Sequence, residues 1–513
     1  MTVPGDGPPP KAGRREWTAL AVLMLPTMLT MLDIGVLFLA LPELTAALSV
    51  SASEQLWITD AYGFLIAGFL VTMGTLGDRI GRRRLLLIGA AAFGVVSVIA
   101  AYSSSAEMLI ASRALLGIAG ATIVPSTLAL VMGMFRDPAQ RGVAISVWSA
   151  ALTAGVALGP VLGGVLLHWF WWGSAFLVAV PVMVVLLVTG RRLLPEFANP
   201  GAGRLDPLSV VLSLAALLPF VYGVKEIARV GWQFLPLAAA AIGLLFGLAF
   251  VLRQRRLAEP LLDLRLFAIR AVSAALVIGL LVAAVQAGTG FLVAQHLQLV
   301  EGLSPLNAGL WVLVPTLALI IGIFLSQAVG HLVRPAYLIA SGAVIAAVGM
   351  VVLTQVGPET GLAVLLIGFT GVYFGVSPVG PLVAQVVVPS APPEKAGSAS
   401  SLQSTGGELG VALGIALLGS VGAAVYRAGV DVPPELAGTE AGEASGETLA
   451  GALASAGELS PPIADGLVDS ARQAFVAGLN TTATICAVAF LGLTVLALTT
   501  LRHLPSRAAA SKR

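Results

Sequence analysis

Four ionisable residues fall inside the apolar runs of this 513-residue chain: Asp33 in TMLTMLDIGVLFLALPEL, Asp60 in WITDAYG, Arg113 in LIASRALLG and Glu408 in SLQSTGGELGVALG. A charge at the centre of a helix in hydrocarbon costs about 2.5–3.5 kcal/mol, so each demands a reason. A carboxyl group held away from water can take up and release a proton near neutral pH, and once ionised it can neutralise a cation. A group that does one or the other, but not both at once, is the physical basis of proton–cation exchange. Asp33 and Glu408 read this way, or as buried hydrogen bonds that fix helix packing. Asp60 and Arg113 each lie about one turn into a run, and read as coupling groups or as interfacial residues reaching water. The Lys225–Glu226 pair closes another run and reads first as a solvated helix end.

The elements that must hold these residues follow from composition. The chain is 58% hydrophobic and 11% charged, against about 25% charged residues in soluble domains, which excludes an ordinary cytoplasmic enzyme. Runs of about 20 apolar residues, each enough to cross a bilayer, recur along nearly the whole length. They divide into fourteen predicted spans: 17–43, 56–77, 85–102, 108–131, 142–167, 174–190, 208–228, 236–252, 271–296, 307–328, 336–355, 361–386, 398–426 and 472–501. The polar start MTVPGDGPPPKAGRRE leads into a full-length span without a small-residue cleavage pattern and reads as an uncleaved anchor.

Basic residues set the expected orientation. Lys11, Arg14 and Arg15 precede span 1; Arg79, Arg82, Arg83 and Arg84 follow span 2; Arg136 and Arg141 follow span 4; Arg191 and Arg192 follow span 6. The joins between spans 1–2, 3–4, 5–6, 9–10 and 11–12 carry no Lys or Arg. The positive-inside rule then places both termini in the cytoplasm. Residues 427–471, by contrast, are Gly/Ala-rich and acidic (Asp431, Glu435, Glu440, Glu443, Glu447) and fall outside. They read as a linker or small helical hairpin, with a cap over the outer mouth or a lure for cations as the alternatives. Cys486 stands alone inside the last span as a packing residue, and the four histidines lie in separate segments with no metal-ligand spacing.

Several strings then resemble a known family. GTLGDRIGRRRLLLIG, residues 74–89, resembles the loop 2–3 signature of the major facilitator superfamily. Gly74, Gly77 and Gly81 allow close approach, Asp78 can meet an arginine or a helix N-terminus, and Arg79, Arg82 and Arg83 hold the cytoplasmic side. ALTAGVALGPVLGG, 151–164, resembles the antiporter motif of span 5. Gly155, Gly159 and Gly163, with Gly164 beside them, permit tight packing, and Pro160 favours a kink. SRALLGIAGA, with Arg113, is similar to the span-4 motif tied to proton coupling. LDIGVLFLALPEL is similar to the span-1 motif of the fourteen-span drug:proton antiporters. Within these, WITDAYGFLIAGF and the Glu-Leu-Gly of span 13 resemble the quaternary-ammonium-compound exporters.

The resemblance implies an all-α polytopic membrane protein with the major facilitator fold. A cytoplasmic tail at 1–16 would precede a six-helix bundle at 17–190, two inserted helices at 208–252, a second bundle at 271–501 and a tail at 502–513. GHLVRP, 330–335, looks like a decayed copy of the loop 2–3 motif. It implies proton coupling through Asp33, Asp60, Arg113 and Glu408. It also implies a midplane cation site drawn from Asp33, Trp57, Asp60, Tyr62, Gln295, Trp311, Gln403 and Glu408, where aromatic rings supply cation–π contact. Trp57 has a competing reading as an interfacial belt residue. Span 10, GLWVLVPTLALIIGIF, lacks the acid that some relatives carry there, so monovalent cations should be handled better than divalent ones. The expected protein is a proton-coupled exporter of lipophilic cations, monomeric, in a bacterial cytoplasmic membrane. Neither cofactor nor metal, ATP nor nucleic acid is expected, and it is not an enzyme. The rival is a dedicated exporter of an antibiotic or metabolite working by the same antiport.

Overall fold

Apolar runs this long can satisfy their backbone amides without water only as helices. The computed structural model describes residues 11–48, 52–197, 206–257, 260, 262, 264–330, 332–357, 361–390, 396–436, 438–457 and 459–503; inside its helices the side chains of Asp60, Pro160 and Lys225, among others, lie outside that description, as do His331 and Lys395. The first part of the chain forms α1 (Arg14–Leu48), α2 (Ala52–Ile80), α3 (Arg82–Ala101), α4 (Ala106–Gly120), α5 (Ile123–Met134), α6 (Pro138–Trp169), α7 (Ser174–Leu177) and α8 (Ala179–Leu193). Next come α9 (Pro207–Val230) and α10 (Phe234–Gln254). The remainder forms α11 (Arg270–Gln295), prolonged by a π turn over His296–Val300, α12 (Pro305–Val329), α13 (Pro335–Leu353), α14 (Gly361–Val376), α15 (Val379–Val387), α16 (Ala396–Gly429), α17 (Glu440–Glu447), α18 (Leu449–Ala456) and α19 (Pro461–Thr500). Among the described residues, 13 helical stretches are long and apolar enough to cross a membrane, and α6, counted as one bent span, makes 14. The fourteen predicted spans are therefore present. Spans 4, 6 and 12 are each broken once, into α4–α5, α7–α8 and α14–α15.

Local sequence accounts for the ends. Asp137 and Ser304 each accept from the backbone amide three residues on, just ahead of a proline at the first helical position. Asp206 caps α9 likewise, and Arg253 near the end of α10 grips the same carboxylate at 2.6 and 2.9 Å. Those hydrogen bonds hold the Asp206 carboxyl well below the usual carboxylate range.

Packing repeats between the two halves of the chain. In the first, α1 lies on α6, α2 on α4 and α3 on α8; in the second, α11 lies on α16, α12 on α14 and α13 on α19. Between the halves α2 meets α16 and α6 meets α12, which are the same pair of helices exchanged. This is the two-bundle architecture of the major facilitator fold. Depth differs sharply: 83% of the α4–α5 span is buried, but only 17% of α10. The inserted pair packs chiefly on itself, with α9 also touching α2 and α16.

One end of the molecule carries Arg15, the α2–α3 junction and Arg136; we call it the basic face. There the halves meet closely. Ser146 of α6 donates to Gln327 Oε1 of α12 at 3.4 Å, and Gln385 of α15 donates to the same oxygen at 3.4 Å. Ala384 and Val388 are buried within the core of the first half. At the opposite face, between α16 and α19, lies the small helical hairpin α17–α18, tied down where Tyr426 Oη donates to Ser445 O at 2.8 Å.

Candidate functional site

The buried acid of α1 has a partner. Arg113 of α4, 1% exposed, donates from Nη1 to Asp33 Oδ2 at 2.5 Å, and the Asp33 side chain is 10% exposed. Arg113 Nε donates to the Ile58 carbonyl of α2 at 3.0 Å. Its guanidinium carbon lies 4.6 Å from the Tyr62 ring centroid and 6.0 Å from that of Phe176, within cation–π range. Tyr62 Oη in turn donates to the Thr30 carbonyl, one turn before Asp33, at 3.1 Å. Three helices thus hold one arginine, and the interfacial reading of Arg113 gives way to a buried one. A methyl group on Gly117 would run into the Tyr62 carbonyl at 2.5 Å, so the glycine of SRALLG lets α4 approach α2 at the level where Arg113 works.

The second half reaches the same place. Glu408 is half-buried on α16, the helix of the second half that packs on α2. Gln403, about one turn before it, buries an Oε1 that has no hydrogen-bond partner among the described residues. Tyr62 is itself buried, so it supports the arginine rather than lining an open wall. Trp57 is 46% exposed and stacks on Tyr222 of α9 with ring centroids 6.4 Å apart and planes 9° from parallel; Phe64 leans on both rings. Trp311 is exposed and Gln295 half-buried near the ends of their helices away from the basic face. The Asp60 side chain lies outside the described residues. No cluster of His, Cys, Asp and Glu that could hold a metal occurs among those described.

The loop 2–3 motif is a built structure. Asp78 pairs with Arg82, whose Nε donates to it at 2.9 Å. Gly77 leaves room beside it for the Arg82 guanidinium, which a side chain there would press against. Gly81 adopts φ 109°, a left-handed conformation suited to glycine. The Glu196 carboxylate then closes the start of α3, accepting from the Arg83 and Arg84 amides at 2.9 and 3.1 Å. Gly74 and Gly163 are buried, and Arg79 and Gly164 half-buried. Glu196, Phe176 and Tyr222 escape a reading of the sequence. Only Glu196 carries a signal, as an isolated acid just after the basic Arg191–Arg192 pair.

With that geometry in view, the whole chain can be set beside known proteins. A family model described as "Major Facilitator Superfamily" matches residues 23–415. The chain belongs to the major facilitator superfamily. A similar relative is the "Multidrug efflux pump LfrA" of Mycolicibacterium smegmatis, 44% identical over 476 residues, covering 92% of this chain and 94% of that protein. The "Methyl viologen resistance protein SmvA" of Salmonella typhimurium is 34% identical over 476 residues, covering 90% and 93%. Among solved structures, the human organic anion transporter MFSD10 superposes with a TM-score of 0.63 at 17% identity, covering 96% of this chain and all of that one; this likeness concerns the major facilitator fold alone.

Proposed function

We propose that this protein is a proton-coupled efflux antiporter that exports lipophilic cations, mainly monovalent and of the quaternary-ammonium type, from a bacterial cytoplasm. The observation that carries this reading is the Asp33–Arg113 pair buried against Tyr62 of α2, the helix on which α16, the helix of Glu408, packs. The Asp33 carboxylate can be occupied by the guanidinium, a proton or a cationic substrate. Protonation frees Arg113, and an arriving cation displaces the proton, so loading with one releases the other. Trp57 and its neighbours supply π faces to a cation on its way to the carboxylates. The resistance and efflux roles named for the LfrA and SmvA relatives agree with export.

With the basic face in the cytoplasm, the contacts among Ser146, Gln327 and Gln385 hold the two halves together on the cytoplasmic side. One proton exchanged for one monovalent cation moves no net charge and draws on the pH gradient alone. Using the membrane potential, worth about 2.3 kcal/mol per charge per 100 mV, requires a second proton, for which Glu408 is the next acceptor.

Ethidium transport in proteoliposomes under an imposed pH gradient tests the reading. Wild type should transport and Asp33→Asn should not. Equal transport by both would remove Asp33 from coupling. No ethidium movement by either would favour the dedicated metabolite exporter.

A further inference from the structure

A cavity of about 340 Å³ opens at the basic face between the start of α1, the end of α5 and the segment after α8. Its wall carries Lys11, Arg15 and Arg136, and its apolar lining includes Met134, Leu193 and Phe197. Ligand pockets run from about 300 to 1,000 Å³, so the space suits a small headgroup. The one acid in the lining, Glu16, is engaged locally, accepting from the Gly13 amide at 2.7 Å. Arg15 spends one Nη on the Arg192 carbonyl at 2.7 Å. Among the described residues, no carboxylate pairs with Lys11, Arg15 or Arg136, so the cavity holds an excess of positive charge.

The floor is fitted closely. A methyl group on Gly133 would meet the Phe197 ring at 2.6 Å, and Trp17 lies edge-on to Phe135 behind it at 4.9 Å. Three cations above an apolar base match a molecule with an anionic head and a hydrocarbon body. A free soluble anion would answer the charges and leave Met134, Leu193 and Phe197 uncovered. Basic pockets between spans at a membrane face are where acidic lipid heads are held.

We propose that this cavity binds the phosphate of an anionic glycerophospholipid, with Lys11, Arg15 and Arg136 holding the head and Met134, Leu193 and Phe197 covered by the glycerol and first methylenes. The bound lipid bridges α1, α5 and the end of α8, away from the transport site. The site is independent of the substrate reading above.

The test uses the full chain in detergent, with added phosphatidylglycerol, phosphatidylcholine or inorganic phosphate. Native mass spectrometry and thermal unfolding are the readouts. Wild type should retain phosphatidylglycerol over phosphatidylcholine and unfold at a higher temperature in its presence. Lys11→Gln/Arg136→Gln leaves the Arg15–Arg192 bond in place and should lose retention by about tenfold or more, each surface cation being worth close to a factor of five against an acidic lipid. Lys11→Arg/Arg136→Lys keeps the charge and should restore it. Equal retention by the glutamine variant would overturn the proposal, as would loss in the charge-preserving one. Inorganic phosphate reproducing the thermal shift would overturn the lipid as the source.

Discussion

Helices α6 and α16 contain the same five residues, Gly-Val-Ala-Leu-Gly, at 155–159 and 410–414. Each lays them on the first helix of its half. In α6 a methyl group on Gly155 would strike the Met28 carbonyl, and one on Gly159 would meet Gly35 Cα at 2.8 Å. In α16 a methyl group on Gly410 would meet the Leu280 carbonyl at 2.5 Å, and one on Gly414 would strike the backbone of Ala284. The seams are equivalent, and what surrounds them is not. After the pentapeptide α6 has Pro160 and α16 has Ile415; α6 bends by 47° between Val156 and Val161, while Leu402–Gly429 is one span. Before it α16 has Glu408, where α6 has Thr153, whose hydroxyl is satisfied by the Ser149 carbonyl of its own helix. One seam therefore carries a bend and the other a carboxylate. A duplicated packing surface has been given shape in one half and charge in the other.

Enlarging the seam should have the largest effect. Gly155→Leu and Gly410→Leu both force a whole side chain into backbone that cannot give way, well beyond the extra methylenes that cost about 1–3 kcal/mol, and both should sharply lower the yield of folded protein on size-exclusion chromatography. Tolerance of one with loss of the other would end the equivalence. Next comes charge. Arg113→Ala leaves Asp33 buried and unpaired, a loss of about 3–5 kcal/mol, which thermal unfolding should register; adding Asp33→Ala should recover most of the stability but no transport. Glu408→Gln should reduce transport and cost less stability than Arg113→Ala, because Glu408 is half-buried and glutamine keeps its size and hydrogen-bonding oxygen. An unfolding temperature that falls equally for Arg113→Ala and Glu408→Gln would contradict that division. The smallest effect on transport should come from exchanging the bend. Ile415→Pro should cost up to about 3 kcal/mol, the penalty for proline inside a helix, whereas Pro160→Ile should keep the fold and slow turnover, read as ethidium flux at saturating substrate.

The fold was legible because hydropathy and the placement of arginines report spans directly. Lengths were less so. The last span reads as 472–501, yet α19 starts at Pro461, since hydropathy marks where a run is apolar and not where a helix begins or breaks. Breaks at Ala121–Thr122 and at Ser377–Pro378 were hidden for the same reason. At the site, Asp33 and Arg113 stand out as charges in apolar runs, but their pairing across 80 positions of sequence depends on how α1 and α4 face each other. Tyr62 reads as a cavity ring because Trp57 does; rotation about α2 exposes one and buries the other. The pentapeptide repeat is visible in the letters, but in a chain with 58 glycines it gains meaning only when both copies rest on equivalent partners.

The inserted pair adds a mechanical constraint. Helix α9 leans on both halves: on α2 through the Tyr222 stack with Trp57 and the contact of Leu218 with Gly68, and on α16 through Val221 against Ala412. A transporter whose halves rock apart cannot keep both attachments, so one must part and reseal in every cycle. The joint to α2 combines aromatic rings with Leu218, and the joint to α16 is made of aliphatic side chains. Helices α9 and α10 are therefore attached to both halves at once, and any movement between the halves has to be taken up at one of these joints.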